Sequence, residues 1–212
     1  MSHLLLPVAT FLAAAALLTI TPGVDTAMVL RAATTSGPRS GAAAAAGIGL
    51  GCLVWGAGAA FGLTALLATS RLAFTVVTWA GAAYLFWLGL KLLSHPRRAS
   101  ALSDMPPGIR GIATGEAFRR GLLTNLLNPK VGVFYITFLP QFIPHGVNVA
   151  AFSLLLAALH VLLGMIWFSL LIALTIPLGR FLQRPKVVRT MDRLTGGVFV
   201  AFGLKLALME HN

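Results

Sequence analysis

Six apolar runs, each long enough to cross a bilayer, constrain this chain more than anything else in it. A spanning helix needs about 20 mostly apolar residues. The runs occupy roughly residues 3–31, 41–69, 72–93, 119–143, 147–178 and 190–209. With 58% hydrophobic and 10% charged residues, the chain lacks the polar surface that coats a soluble globule, which is about a quarter charged. The expectation is an all-α membrane protein, a single membrane domain over residues 1–212. Residues 4–20 have no positive segment ahead of them and no convincing cleavage site after them, so they read as a retained first helix and not a signal peptide.

The charge distribution supports the same count. A net charge of +11 in a soluble chain would suggest nucleic acid, but here the basic residues gather at the ends of apolar runs. That is the pattern of topology signals and lipid headgroup contacts, and no nucleic-acid partner is expected. Arg31 and Arg39 flank the first connection. Lys91, Arg97, Arg98, Arg110, Arg119 and Arg120 flank the third, and Arg180, Arg184, Lys186, Arg189 and Arg193 the fifth. The even connections hold Arg71 alone, so thirteen basic residues stand against one. The positive-inside rule then puts the odd connections in the cytoplasm and both termini outside, periplasmic in a bacterial inner membrane. The one long polar loop, about residues 94–118, holds His95-Pro96-Arg97-Arg98, Asp104 and Pro106-Pro107-Gly108.

The two halves of the chain echo each other. Gly89-Leu90-Lys91-Leu92 ends the third span and Gly203-Leu204-Lys205-Leu206 ends the sixth, while the first and fourth spans break at Pro22 and Pro129. Three helices per repeat is an odd number, so the halves would enter the membrane in opposite senses. The expected architecture is two inverted three-helix repeats, about 3–93 and about 119–209, with helices 1 and 4 interrupted. That is how many secondary transporters are built.

The breaks carry the candidate chemistry. In Thr21-Pro22-Gly23-Val24-Asp25, Thr21 reads as an N-cap, Pro22 as the first residue of a new half-helix, and Gly23 as a point of close backbone approach. Asp25 is one of five acidic residues and the only one read as deep within a span, where a carboxylate costs roughly 3 kcal/mol. It either steadies a helix start or binds a proton or a substrate ammonium. In Asn125-Leu126-Leu127-Asn128-Pro129-Lys130, Asn128 reads as the cap and Pro129 as the first helical residue. Lys130 either snorkels to the interface on its long stem or faces inward. If the breaks meet near the midplane, Asp25 and Lys130 either pair or receive the two ends of a zwitterion. Gln141 reads as interfacial or as lining the path. His160, in the fifth span, reads as hydrogen-bonded packing ahead of a proton relay. Trp55, Trp79, Trp87 and Trp167 read as packing or belt residues. Gly41, Gly47, Gly51, Gly58 and Gly62 suggest close packing of the second helix, and the small-residue faces allow a homodimer.

No metal-ligand cluster, phosphate-binding glycine loop or nucleophile triad stands out, so neither an enzyme nor a cofactor is expected. The single cysteine, Cys52, rules out an intrachain disulfide.

Thr21-Pro22-Gly23-x-Asp25-Thr26, Phe118-x-x-Gly121, Asn125-x-x-Asn128-Pro129-Lys130 and Phe134-x-x-x-Phe138-x-Pro140-Gln141-Phe142 together resemble the LysE/RhtB amino-acid exporter family. The resemblance covers essentially the whole chain. One departure is Val24, where family members often carry a second proline. The resemblance implies export of small neutral amino acids of the threonine and homoserine type, driven by protons. Two other classes stay open: an exporter of a metal cation or other small metabolite, and a non-transporting membrane subunit.

Overall fold

The computed structural model describes residues 2–69, 112–144, 146–174 and 184–209, with isolated positions between 76 and 94. Most of the expected third span and most of the long polar loop lie outside the described residues. Among the described residues every regular element is helical: α1 (Ser2–Ile20), α2 (Val24–Ser36), α3 (Pro38–Thr69), α4 (Thr114–Leu126), α5 (Pro129–Val133), α6 (Val149–Ala173) and α7 (Pro185–Met209). α5 continues as a widened π turn over Phe134–Phe138 and a tight 3-10 turn over Leu139–Phe142. Pro140 explains this change of winding, because it cannot donate to the preceding turn.

α3 and α6 are each long and apolar enough to cross a membrane unaided, over Pro38–Gly62 and Val149–Ala173. α1 and α2 are bent by 54° at a short break, and α4 and the helix from Pro129 to Phe142 by 53°. Each bent pair qualifies as a span if its two pieces are counted together.

Proline accounts for both bends, and in both cases a side chain from elsewhere takes the carbonyl that proline leaves free. Pro22 has no N–H for Leu18 O, the acceptor one turn back. Lys130 Nζ donates to that oxygen at 2.8 Å and to Thr21 O at 3.2 Å. Pro129 likewise leaves Asn125 O, which accepts from Asn128 N at 3.0 Å and Trp55 Nε1 at 3.4 Å. The second break has the expected cap: Asn128 Oδ1 accepts from Lys130 N, with Pro129 opening the helix. The first does not. α2 begins at Val24 with Gly23 at the cap position and no side-chain cap. The Thr21 hydroxyl instead donates back to Leu17 O in α1 and meets Thr195 Oγ1 of α7 at 2.6 Å. A hydroxyl committed to the preceding turn cannot also cap the next helix.

Two apolar clusters fill the bundle, one on each side of the breaks. The first joins Phe11 and Leu18 of α1, Phe134 and Phe138 after α5, and Leu156 of α6. The second joins Val29 of α2, Ala44 and Ile48 of α3, Ala117 of α4, and Phe168 of α6. α3 and α6 run through both clusters, so they frame the level at which α1/α2 and α4/α5 are interrupted. At the end beyond the second cluster, Ile112 N donates to Ser36 Oγ at 3.2 Å, and Val187 and Ile172 pack on the same cluster. The α2–α3 corner, the start of α4 and the start of α7, all with arginines close by, therefore share one end of the bundle.

α3 and α4 cross at backbone contact. A Cβ on Gly47 would overlap Phe118 O, and one on Gly121 would overlap Ala44 O. Gly51 leaves room for the Asn125 side chain, and Gly41 faces Ala33. Gly58 and Gly62, expected to pack in the same way, have nothing within 4 Å of a built Cβ among the described residues. Because backbone atoms cannot swing aside as side chains can, Gly121→Ala is expected to cost roughly 1–3 kcal/mol. The thermal unfolding midpoint of the purified protein in detergent should fall by several degrees, whereas Gly58→Ala should leave it unchanged.

Candidate substrate site between the broken helices

The geometry at the breaks follows from the two prolines. By ending α1 and restarting the chain at Val24, Pro22 leaves carbonyls at the negative end of one helix dipole and places Asp25 in the first turn of the next. By restarting α5 at Pro129, the second break puts Lys130 one residue into its helix. The breaks then face each other. Lys130 reaches across to the α1 carbonyls, and Asn125 at the end of α4 reaches across to Asp25, its Nδ2 donating to Asp25 Oδ2 at 2.9 Å. Asn128 also lies close to the Asp25 carboxylate, and the Lys130 ammonium acts on it electrostatically. Asp25 Oδ1 and Asn125 Oδ1 are buried and accept no hydrogen bond among the described residues. Unpaired buried acceptors cost about 1–3 kcal/mol each, so the arrangement is not one that stability alone would select.

A cavity of about 50 Å³ opens beside these groups, at the junction of the two apolar clusters. Thr21, Gly23, Asp25, Asn128 and Lys130 line one end of it. Ile48, Val131, Val161, Met165 and Phe168 line the remainder, with Thr19 and His160. A second, larger and more open cavity of about 420 Å³ shares Gly23, Asn128 and Lys130 and adds Val24, Thr124, Leu127 and Pro129. Those three shared residues line both spaces.

The structure therefore gathers most of the residues expected from sequence. Thr21, Gly23, Asp25, Asn128 and Lys130 meet at the cavity, Asn125 supports Asp25 from behind, and Pro22 and Pro129 shape the breaks. Gln141 stands apart. It is not part of the cavity wall, and its Nε2 donates to Thr137 O at 2.8 Å, in the irregular stretch around Pro140.

Sequence reasoning undervalued three groups. His160 bonds Thr19 Oγ1 through Nε2 at 3.2 Å and the Tyr135 hydroxyl through Nδ1 at 3.0 Å. Cys52 Sγ accepts from Asn125 Nδ2 at 3.4 Å and lies in hydrogen-bonding reach of Tyr135. The protons can be assigned in turn along this chain. Thr19 gives its single proton to Ala15 O at 2.7 Å, so it accepts from His160 Nε2–H. His160 Nδ1 is then the acceptor of the Tyr135 hydroxyl. Asp192 of α7 is the third group. It is fully buried, so Asp25 is not the only acidic side chain deep in a helix. Asp192 lies one turn before Thr195, the residue that meets Thr21 at the first break. The signal was an acidic residue in register with Val188 and Thr195, all three on the buried face of α7.

Among the described residues no three His, Cys, Asp or Glu side chains stand together as a metal site. Two proline-broken helices that present opposite charges to one buried cavity, framed by two unbroken helices, define a membrane protein of transporter build.

The comparisons with known proteins agree. The model of the LysE type translocator family matches residues 16–210, and the chain belongs to that family. It is 30% identical to the homoserine/homoserine lactone efflux protein of Salmonella typhi over 95% of this chain and 96% of that one. It is 31% identical to the leucine efflux protein of Klebsiella pneumoniae subsp. pneumoniae, covering 95% and 94%. It is 32% identical to the uncharacterized membrane protein YrhP of Bacillus subtilis (strain 168), covering 92% and 95%. No solved structure matches the sequence. The chain is thus a multi-pass membrane protein of this family.

Proposed function

We propose that this protein exports small neutral amino acids from the cytoplasm in exchange for protons, with the substrate held between the two helix breaks. The observation that carries the reading is the meeting of Asp25, with its unpartnered Oδ1, and Lys130 at one end of a buried cavity. An amino-acid zwitterion offers complementary groups, an ammonium for Asp25 and a carboxylate for Lys130 and the Asn128-capped start of α5. In this reading the carboxylate takes Lys130 from Leu18 O and Thr21 O, so binding loosens the tie between the breaks.

At about 50 Å³ the cavity is a third of the size of an engineered apolar cavity of about 150 Å³ that admits benzene. Substrate binding therefore requires the walls to separate. Rocking of two inverted repeats about the breaks, with odd connections inside and both termini outside, supplies that motion in the proposed mechanism. One proton entering down a potential of about 150 mV contributes roughly 3.5 kcal/mol, enough for a few-hundred-fold outward gradient. The names of the efflux relatives favour the same reading over a cation exporter or a non-transporting subunit.

The test is uptake into inverted membrane vesicles that carry the full chain, with an imposed proton gradient and a panel of labelled amino acids. Gradient-dependent accumulation of at least one neutral amino acid is expected. Its absence for every member of the panel, in vesicles shown to hold folded protein, would sink the proposal.

A further inference from the structure

The cavity's hydrogen-bonding capacity is unevenly distributed, and that unevenness bears on which side chain it accepts. At the break end, Asp25 Oδ1 is unpartnered, and Asn128 and Lys130 are within reach. Thr26, which also lines the cavity, is the next residue along from Asp25. Where α6 and the end of α1 line the cavity, the polar groups are committed to one another. Thr19 donates to Ala15 O and meets His160 Nε2, while His160 Nδ1 is taken by Tyr135. His160 therefore turns only ring carbon toward the cavity. The rest of that wall is Ile48, Val161, Met165 and Phe168.

We propose that this wall is the side-chain subsite and that it selects apolar neutral amino acids, such as leucine or methionine, over hydroxylated ones such as homoserine or threonine. The inference rests on the amino-acid exporter reading above, and it departs from the threonine and homoserine type that the family resemblance implies. With ammonium and carboxylate at the break end, the side chain points toward α6. A hydroxyl there gives up its water and finds no strong donor, and as acceptors only the second lone pair of Thr19 Oγ1 and the weak sulfur of Cys52. Burying an unmatched hydroxyl in an apolar pocket discriminates by up to about a hundredfold. Gly164 belongs to the same wall, and a Cβ built on it has nothing within 4 Å among the described residues, so that position controls how long a side chain fits.

The experiment measures proton-driven uptake of labelled leucine and labelled homoserine into inverted vesicles carrying the full chain, each competed by unlabelled leucine, methionine, alanine, homoserine and threonine. Leucine and methionine are expected to inhibit at concentrations at least tenfold below homoserine and threonine. Val161→Thr, which keeps the shape and adds a hydroxyl, should improve homoserine about tenfold relative to leucine. Gly164→Val should weaken leucine about tenfold and alanine little. Uptake in which homoserine competes as well as leucine overturns the selectivity and leaves the exporter reading standing. A leucine preference that neither variant moves overturns the assignment of this wall. No uptake of either amino acid overturns this inference, and extension of that failure to the whole panel overturns the exporter reading too.

Discussion

Asp25→Asn is expected to abolish concentrative transport while leaving the protein folded. Asparagine keeps the shape of aspartate and keeps an oxygen to accept from Asn125 Nδ2, the hydrogen bond that holds Asp25 at 2.9 Å. What it loses is the charge and the ability to carry a proton. If Asp25 cycles between protonated and ionised forms, the few-hundred-fold gradient available from one proton collapses to none. Exchange of labelled for unlabelled substrate across the membrane, with no gradient imposed, separates the two roles open to this residue. A variant that exchanges but does not concentrate has lost coupling, so Asp25 is the proton carrier. A variant that does neither has lost the substrate's ammonium partner. A variant that does both at the wild-type level removes Asp25 from the mechanism. The unfolding midpoint, measured beside each assay, guards against a folding defect that imitates the second result.

The breaks were legible in the sequence because proline acts locally. Pro22 and Pro129 remove a backbone donor whatever surrounds them, and Asn128 caps within its own turn. Asp25 and Lys130 stood out because a charge within an apolar run requires an explanation. Where Lys130 points was not legible. The sequence leaves it between snorkelling, pairing with Asp25 and receiving one end of a zwitterion, and in the structure the ammonium donates to Leu18 O and Thr21 O. That choice depends on α1 lying against α5, a long-range arrangement that no local pattern encodes. The Thr21 error has the same origin. Serine and threonine at a break read as caps, but a partner in α7, Thr195, was there to receive the hydroxyl. His160 makes the hydrogen bonds that the packing reading expects. Its importance as a wall of the cavity could not be foreseen, since its partners Thr19 and Tyr135 come from α1 and the π turn after α5. Gln141 shows the converse. Its polarity in an apolar run leaves it between an interfacial place and the path, and the structure shows only that its Nε2 bonds Thr137 O in the irregular stretch around Pro140.

Lys130→Met is the second large effect expected, and it separates a structural lysine from one that binds substrate. In the present geometry Lys130 closes the C-terminal end of α1, where a cation is worth about 0.3–1 kcal/mol. Methionine keeps the length of the stem and removes the charge. If that were the lysine's only task, the variant would lose a few degrees of thermal stability and transport at close to the wild-type affinity. If the ammonium also receives the substrate carboxylate, the loss is a charge-assisted hydrogen bond of about 1.5–3 kcal/mol, or roughly ten- to a hundredfold in affinity. The decisive comparison uses a competitor without the charge, the carboxamide of the transported amino acid. Against wild-type protein the carboxamide should compete at least tenfold worse than the acid. Against Lys130→Met the two should compete about equally, because the group that distinguished them is gone. This is a double-mutant cycle with one mutation in the ligand, so a global loss of stability or insertion cancels between the two competitors. A preference for the acid that survives intact in the variant would assign Lys130 to the α1 carbonyls alone and leave the capped start of α5 as the remaining candidate for the carboxylate.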